Sequence, residues 1–279
     1  MEASSKYLEV NGINTHYHES GQGDPIVLIH GSGPGVTAWA NWRLIIPKLA
    51  ERFHVFAPDI VGFGYTERPE NVEYNVDTWA QHLIDFIEKI GKGRVHIIGN
   101  SLGGALALHI AKKRPDLVDK LVLMGAAGLP FQLTYGLEKV WGYEPSIENM
   151  KRLLEIFAYD QEFATDELAK LRYEASIQPG LQEAFSQMFA EPRQPHLDSL
   201  ALPEEQIKQI TNPVLLIHGK EDIVVPFKET SLKLLELLPN SQLHVFSKCG
   251  HWTQIEKKDE FEQLCRNFFL SEAEIVSVF

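Results

Sequence analysis

The segment that most restricts what this chain can fold into is Gly99-Asn100-Ser101-Leu102-Gly103-Gly104. It follows an apolar run at 95–98 and precedes a stretch at 105–113 with helical spacing that stops before Pro115. A strand that turns into a helix within so few residues needs small neighbours around the apex. The apical serine then points its hydroxyl away from the backbone, toward amides at a helix start that favour negative charge. A serine in any glycine-rich turn would match five residues by chance. The strand before it and the helix after it give the pattern its meaning.

Other short apolar runs occur at 26–29, 55–57, 121–124 and 214–217, as expected for strands covered on both faces. Residues 77–90 carry Trp79, Leu83, Ile84, Phe86, Ile87 and Ile90 at helical spacing. Strands alternating with helices predict an α/β domain, a mostly parallel twisted sheet with helices on both faces. The alternation lapses after about 130, where helical patterns at 147–157 and 165–177 succeed one another, and resumes at Val214. We therefore expect a core made of 1–129 and 206–279, with 130–205 as a helical cap over the edge where open α/β sheets bind ligands. The cap is rich in aromatics, most of them packing residues.

A serine hydroxyl needs a base to take its proton. Of eleven histidines, His251 lies in a loop after a strand-like run at 243–246 and before the last helical stretch. His16, His18, His96 and His244 sit in strand-like segments, and His82 and His109 in helical ones. His30 and His218 each precede a glycine at a strand end, where they could support a loop. The acid is expected between serine and histidine in chain order, and Asp222 qualifies, with Glu221 as its rival. Ser101, Asp222 and His251 then each follow a strand in the order used by α/β-hydrolases. Two amides should face the developing oxyanion. Leu102 would give one, and Ser32 in His30-Gly31-Ser32-Gly33-Pro34-Gly35 the other, with Gly31 or Gly33 as substitutes. That loop lacks the spacing of a dinucleotide-binding turn, and no metal-ligand grouping occurs, so no cofactor is implied.

The formal net charge of −12 disfavours nucleic acid and anionic membrane surfaces as partners. No apolar run is long enough to cross a membrane. The start of the chain has no signal-peptide pattern and there are two cysteines, Cys249 and Cys265, so a cytoplasmic enzyme is expected. A homo-oligomer is compatible with the sequence. An anionic substrate would need a local cation within this acidic chain.

Four segments carry a resemblance to a known family: 30–42 (HGSGPGVTAWANW), the GNSLGG turn, 171–175 (LRYEA) and 249–254 (CGHWTQ). Together they resemble the meta-cleavage product hydrolases, which hydrolyse carbon–carbon bonds in ring-fission products of aromatic compounds. The segments at 140–143 and 156–160 look most like the 2-hydroxymuconic semialdehyde hydrolases. Leu102 departs from the methionine or phenylalanine often found after the nucleophile, a position that acts through its backbone. The resemblance implies an anionic dienoate substrate, with Arg172, Trp252 and Asn100 at its carboxylate and dienoate end and Asn41 near the reacting end. It also makes Trp141, Ala127 and Val225 pocket candidates. The implied products are 2-hydroxypenta-2,4-dienoate and formate or a small carboxylic acid. A carboxylesterase or perhydrolase on the same fold, and a non-catalytic ligand receptor, are the alternative readings.

Overall fold

The computed structural model describes residues 4–271. Eight strands, β1 (Ser4–Val10), β2 (Ile13–Ser20), β3 (Asp24–Ile29), β4 (Phe53–Pro58), β5 (Val95–Asn100), β6 (Val118–Met124), β7 (Val214–Gly219) and β8 (Ser241–Phe246), form one sheet in the order β1-β2-β4-β3-β5-β6-β7-β8. The six strands from β4 to β8 in that order are mutually parallel, and β1 and β2 join antiparallel at one edge. The apolar-run reading does not reach the hairpin of β1 with β2. Its first strand, SSKYLEV, has no continuous apolar run, because an edge strand facing water on one side alternates instead.

The central strands are buried on both faces, β5 and β7 along their whole lengths. Val27, Ile29, Ile97, Leu121, Leu123 and Leu216 pack on one face, under the helices Val76–Ile90 and Leu102–Lys113. Ile26, Leu28, Ile98, Val122, Met124, Leu215 and Ile217 face the other layer, with Trp42, Leu49, Phe261 and Phe268 from the helices Ala38–Trp42, Ile46–Leu49 and Lys258–Leu270. This is the two-residue period of a strand read on both sides.

Between β6 and β7 the chain runs through the helices Tyr135–Trp141, Ile147–Phe157, Asp166–Ser176, Leu181–Met188, Gln194–Ser199 and Glu204–Ile207 without a strand among the described residues. Thr134, Ser146 and Thr165 cap the first three by accepting a hydrogen bond from the amide three residues on. The registers Ile29 with Gly99, Asn100 with Met124, Met124 with Ile217 and Gly219 with Phe246 align the carboxyl ends of five strands. The loops that follow them therefore emerge side by side. Among the described residues no helix is long and apolar enough to cross a membrane.

Candidate active site

Ser101 stands immediately after β5, at φ 54° and ψ −112°, a left-handed backbone seldom adopted by a residue with a side chain. Its amide donates to Met124 O at 2.9 Å, and its carbonyl accepts from Gly104 and Ala127 at 3.0 and 3.2 Å, so the turn is held from both sides. The helix begins at Leu102, three residues earlier than its apolar spacing suggests. Glycine is required by close approach: a Cβ at Gly99 would lie 2.3 Å from Gly103 O, and one at Gly103 would lie 2.3 Å from Ile29 O. Leu102 is the first helical residue, so its N–H has no intrahelical acceptor.

Asp222, its side chain buried beyond β7, accepts a hydrogen bond from His251 Nδ1 on Oδ2 at 2.7 Å. Its Oδ1 accepts from Val224 and Val225 amides at 2.8 and 3.0 Å, and His218 Nε2 approaches Oδ2 at 3.1 Å. Burial alone would raise this carboxyl. The facing His251 and the bonds from His218 and His251 outweigh it and hold the group well below the usual carboxylate range. The rival Glu221 turns the other way, accepting from the Cys249 amide at 3.1 Å. His30 supports its loop by accepting from the Ile60 amide at 3.0 Å.

Ser101 and His251 open into one cavity, lined also by Gly31, Ser32, Gly33, Asn41, Asn100, Phe157, Arg172, Trp252 and Gln254. A Cβ at Gly31 would lie 3.2 Å from Ser101 Cβ, which shows how closely the glycine loop borders the serine. Asn100 Nδ2 donates to Asn41 Oδ1 at 2.9 Å, so the two asparagines are hydrogen-bonded neighbours in the wall. Trp252 stacks on Phe157 with ring centroids 4.8 Å apart, and the amides of His251 and Trp252 both donate to Phe157 O. The helical excursion thus grips the histidine loop directly.

Four buried polar atoms in this wall have no partner: Asn41 Nδ2, Asn100 Oδ1, Arg172 Nε and Gln254 Oε1. Burial, then the charge of Arg43, lowers Arg172 to about 10. Unsatisfied groups of this kind are costly in isolation and converge where a ligand completes them. No cluster of three metal-ligating side chains occurs among the described residues.

Three expected pocket residues lie elsewhere. Trp141 is outside the cavity lining, stacked on Phe189 at 4.3 Å and donating through Nε1 to Ser32 Oγ at 2.9 Å. It backs the glycine loop. Val225 is fully buried and acts through its backbone, its amide bound to Asp222 and its carbonyl accepting from His218. Ala127 is also outside the lining, its amide bound to Ser101 O.

Comparison with known proteins agrees with this architecture. A family profile described as the alpha/beta hydrolase fold matches residues 24–258. A 2-hydroxy-6-oxo-2,4-heptadienoate hydrolase of Pseudomonas putida is 51% identical, covering 94% of both chains. A 2-hydroxymuconate semialdehyde hydrolase of Pseudomonas sp. strain CF600 is 49% identical, covering 96% of this chain and 94% of its own. The solved structure of a meta-cleavage product hydrolase from Pseudomonas fluorescens IP01 superposes with a TM-score of 0.93 at 56% identity, over 95% of this chain and 97% of that one. The chain belongs to the meta-cleavage product hydrolases. Within such a hydrolase the sequence reading overlooked Phe157, Gln254 and Gly125. Gln254 closes the CGHWTQ segment that carried the resemblance, so its signal was present. A Cβ at Gly125 would lie 3.2 Å from His251 Cε1, a proximity that sequence spacing does not encode.

Proposed function

We propose that this hydrolase cleaves the carbon–carbon bond of a monocyclic ring-fission product, 2-hydroxymuconic semialdehyde or a 6-alkyl ketone analogue, through a covalent serine intermediate. The observation that carries the reading is the placement of four unsatisfied polar atoms, one of them on an arginine, in the same wall as Ser101 and His251. A neutral ester would leave a guanidinium there without a counter-ion. A dienoate carboxylate gives it one, in the forked geometry that guanidinium prefers. The names of the relatives at 51% and 49% identity, a heptadienoate and a semialdehyde hydrolase, support the size class.

Arg172, Trp252 and the Asn41–Asn100 pair bind the dienoate end, with the face of Trp252 against the conjugated chain. Gln254 adds a polar contact there. The dienol first shifts its proton to carbon, so that the fragment due to depart becomes a stabilised carbanion. Ser101 attacks the remaining carbonyl while His251 takes its proton, and Asp222 holds the imidazole in the required tautomer. The oxyanion rests against the amides of Leu102 and Ser32. Bond cleavage leaves an acyl-serine and releases the other fragment as a dienolate, whose oxygen takes the proton held by His251 to give 2-hydroxypenta-2,4-dienoate. Water attacks that ester with His251 as base, giving formate or a small carboxylic acid and free Ser101.

The helical segment 130–205 serves as the cap that shuts this chemistry from bulk water, and the enzyme works on a small anion in the cytoplasm without a cofactor. The test is kcat/KM on a semialdehyde, a methyl ketone and a phenyl ketone substrate, in wild type and Arg172→Gln, with acid release quantified. Stoichiometric acid and dienoate from the first two substrates, lost in the variant, support the reading. Turnover of simple esters alone would overturn it.

A further inference from the structure

The cavity wall holds two guanidiniums and, among the described residues, no carboxylate, although the chain as a whole carries −12. The second cation is Arg43, the residue that ends the helix Ala38–Trp42. Its Nη1 donates to Ala40 O at 2.8 Å, which anchors one corner of the guanidinium and leaves its other donors for a ligand, and no ion pair links Arg43 or Arg172 to an acidic side chain among the described residues. Arg43 is half-buried, and its neighbour Leu44 is an exposed residue that also lines the cavity. Arg172 is close enough to feel its charge. Two like charges that face one cavity without counter-ions repel each other until an anion comes between them. In an acidic protein they also form a local positive field that can draw an anion inward.

We propose that Arg43 is a second cation of the anion site, holding the carboxylate end of the substrate together with Arg172 and guiding it in from the mouth. The inference rests on the anion-site reading above and adds a residue that selects for charged substrates.

The experiment measures kcat and KM for the methyl ketone dienoate, and the competitive inhibition constant of sorbate, in wild type, Arg43→Gln, Arg43→Lys and Arg172→Gln, over a range of sodium chloride. Hydrolysis of p-nitrophenyl acetate is the uncharged reference. Arg43→Gln should raise KM and the sorbate constant about tenfold with kcat lowered less than about threefold, and should flatten the salt dependence of KM. Arg43→Lys should recover much of the loss. An Arg43→Gln enzyme with unchanged KM and sorbate binding, beside an impaired Arg172→Gln, would leave a single-cation site and refute the proposal. Equal loss on the ester and the dienoate without rescue by lysine would reduce Arg43 to a prop for its helix. If Arg172→Gln also binds sorbate normally, the anion-site reading itself fails and the proposal goes with it.

Discussion

The two sides of the cavity differ in how complete they are. On the side of the sheet, Asp222 is saturated by two amides and two histidines, and Ser101 is pinned by backbone bonds from β6 and its own helix. Elsewhere in the same wall, buried atoms of Asn41, Asn100 and Gln254 from the core and of Arg172 from the helix Asp166–Ser176 lack partners. That helix buries only Ala169 and Ser176, against ten of twelve residues in the helix after Ser101. The groups proposed to react are thus held by the protein's own bonds, and those proposed for recognition are left for a ligand to complete. Damage to the first side should act on kcat, and damage to the second chiefly on KM.

The largest effect should come from Ser101→Ala, with product formation down by about 10⁴-fold or more in a protein of unchanged circular dichroism. A mere tenfold loss would break the comparison, because the sheet side would then not carry the covalent step. Asp222→Asn should fall by about 10⁴-fold through loss of tautomer and charge support, and Glu221→Gln far less. Steady-state kinetics of the two variants decide between these neighbouring acids.

Arg172→Gln should lose about 10- to 100-fold in kcat/KM on carboxylate substrates, the size of one charge-assisted interaction, expressed mainly in KM. A loss confined to kcat would move Arg172 to the reacting side. Among substrates, hydrogen and methyl at the acyl end should differ modestly, within the ~1 to 3 kcal/mol of one methylene-sized contact. A phenyl ketone should be poorer still, since Trp141, locked between Phe189 and Ser32, leaves the wall behind the glycine loop little room to yield. Rates on the three analogues order these effects, and a phenyl ketone turned over fastest would defeat the size argument.

The smallest effect concerns stability. The Asp222 carboxyl is held below its ordinary value, near pH 3.9 in an unfolded chain, so its stabilisation is present above that pH and drains away as pH falls below it. Melting temperature measured from pH 6 to pH 3 should decline more steeply in wild type than in Asp222→Asn. Parallel curves would mean that other carboxylates govern the acid limb.

The turn around Ser101, the strands flanking it and the chain order of serine, acid and histidine were legible because each depends on residues close in sequence. Apolar runs mark strands covered on both faces, and glycines mark places where backbone approaches backbone. Chain order favours Asp222 over Glu221 as the acid, and the pairing of β7 with β8 separates the two neighbours, bringing Asp222 to His251 and Glu221 to the Cys249 amide. Trp141 and Val225 resembled pocket residues by position, yet one braces Ser32 and the other holds Asp222 through its amide. The convergence of Arg43, Arg172 and Gln254 on one wall joins the end of the helix Ala38–Trp42, a helix of the excursion and the loop after His251. Sequence by itself determined the local chemistry around Ser101 and the strands covered on both faces. Only tertiary structure decided which distant polar groups share a cavity and lack partners, because burial and pairing are properties of packed surfaces and not of spacing along the chain.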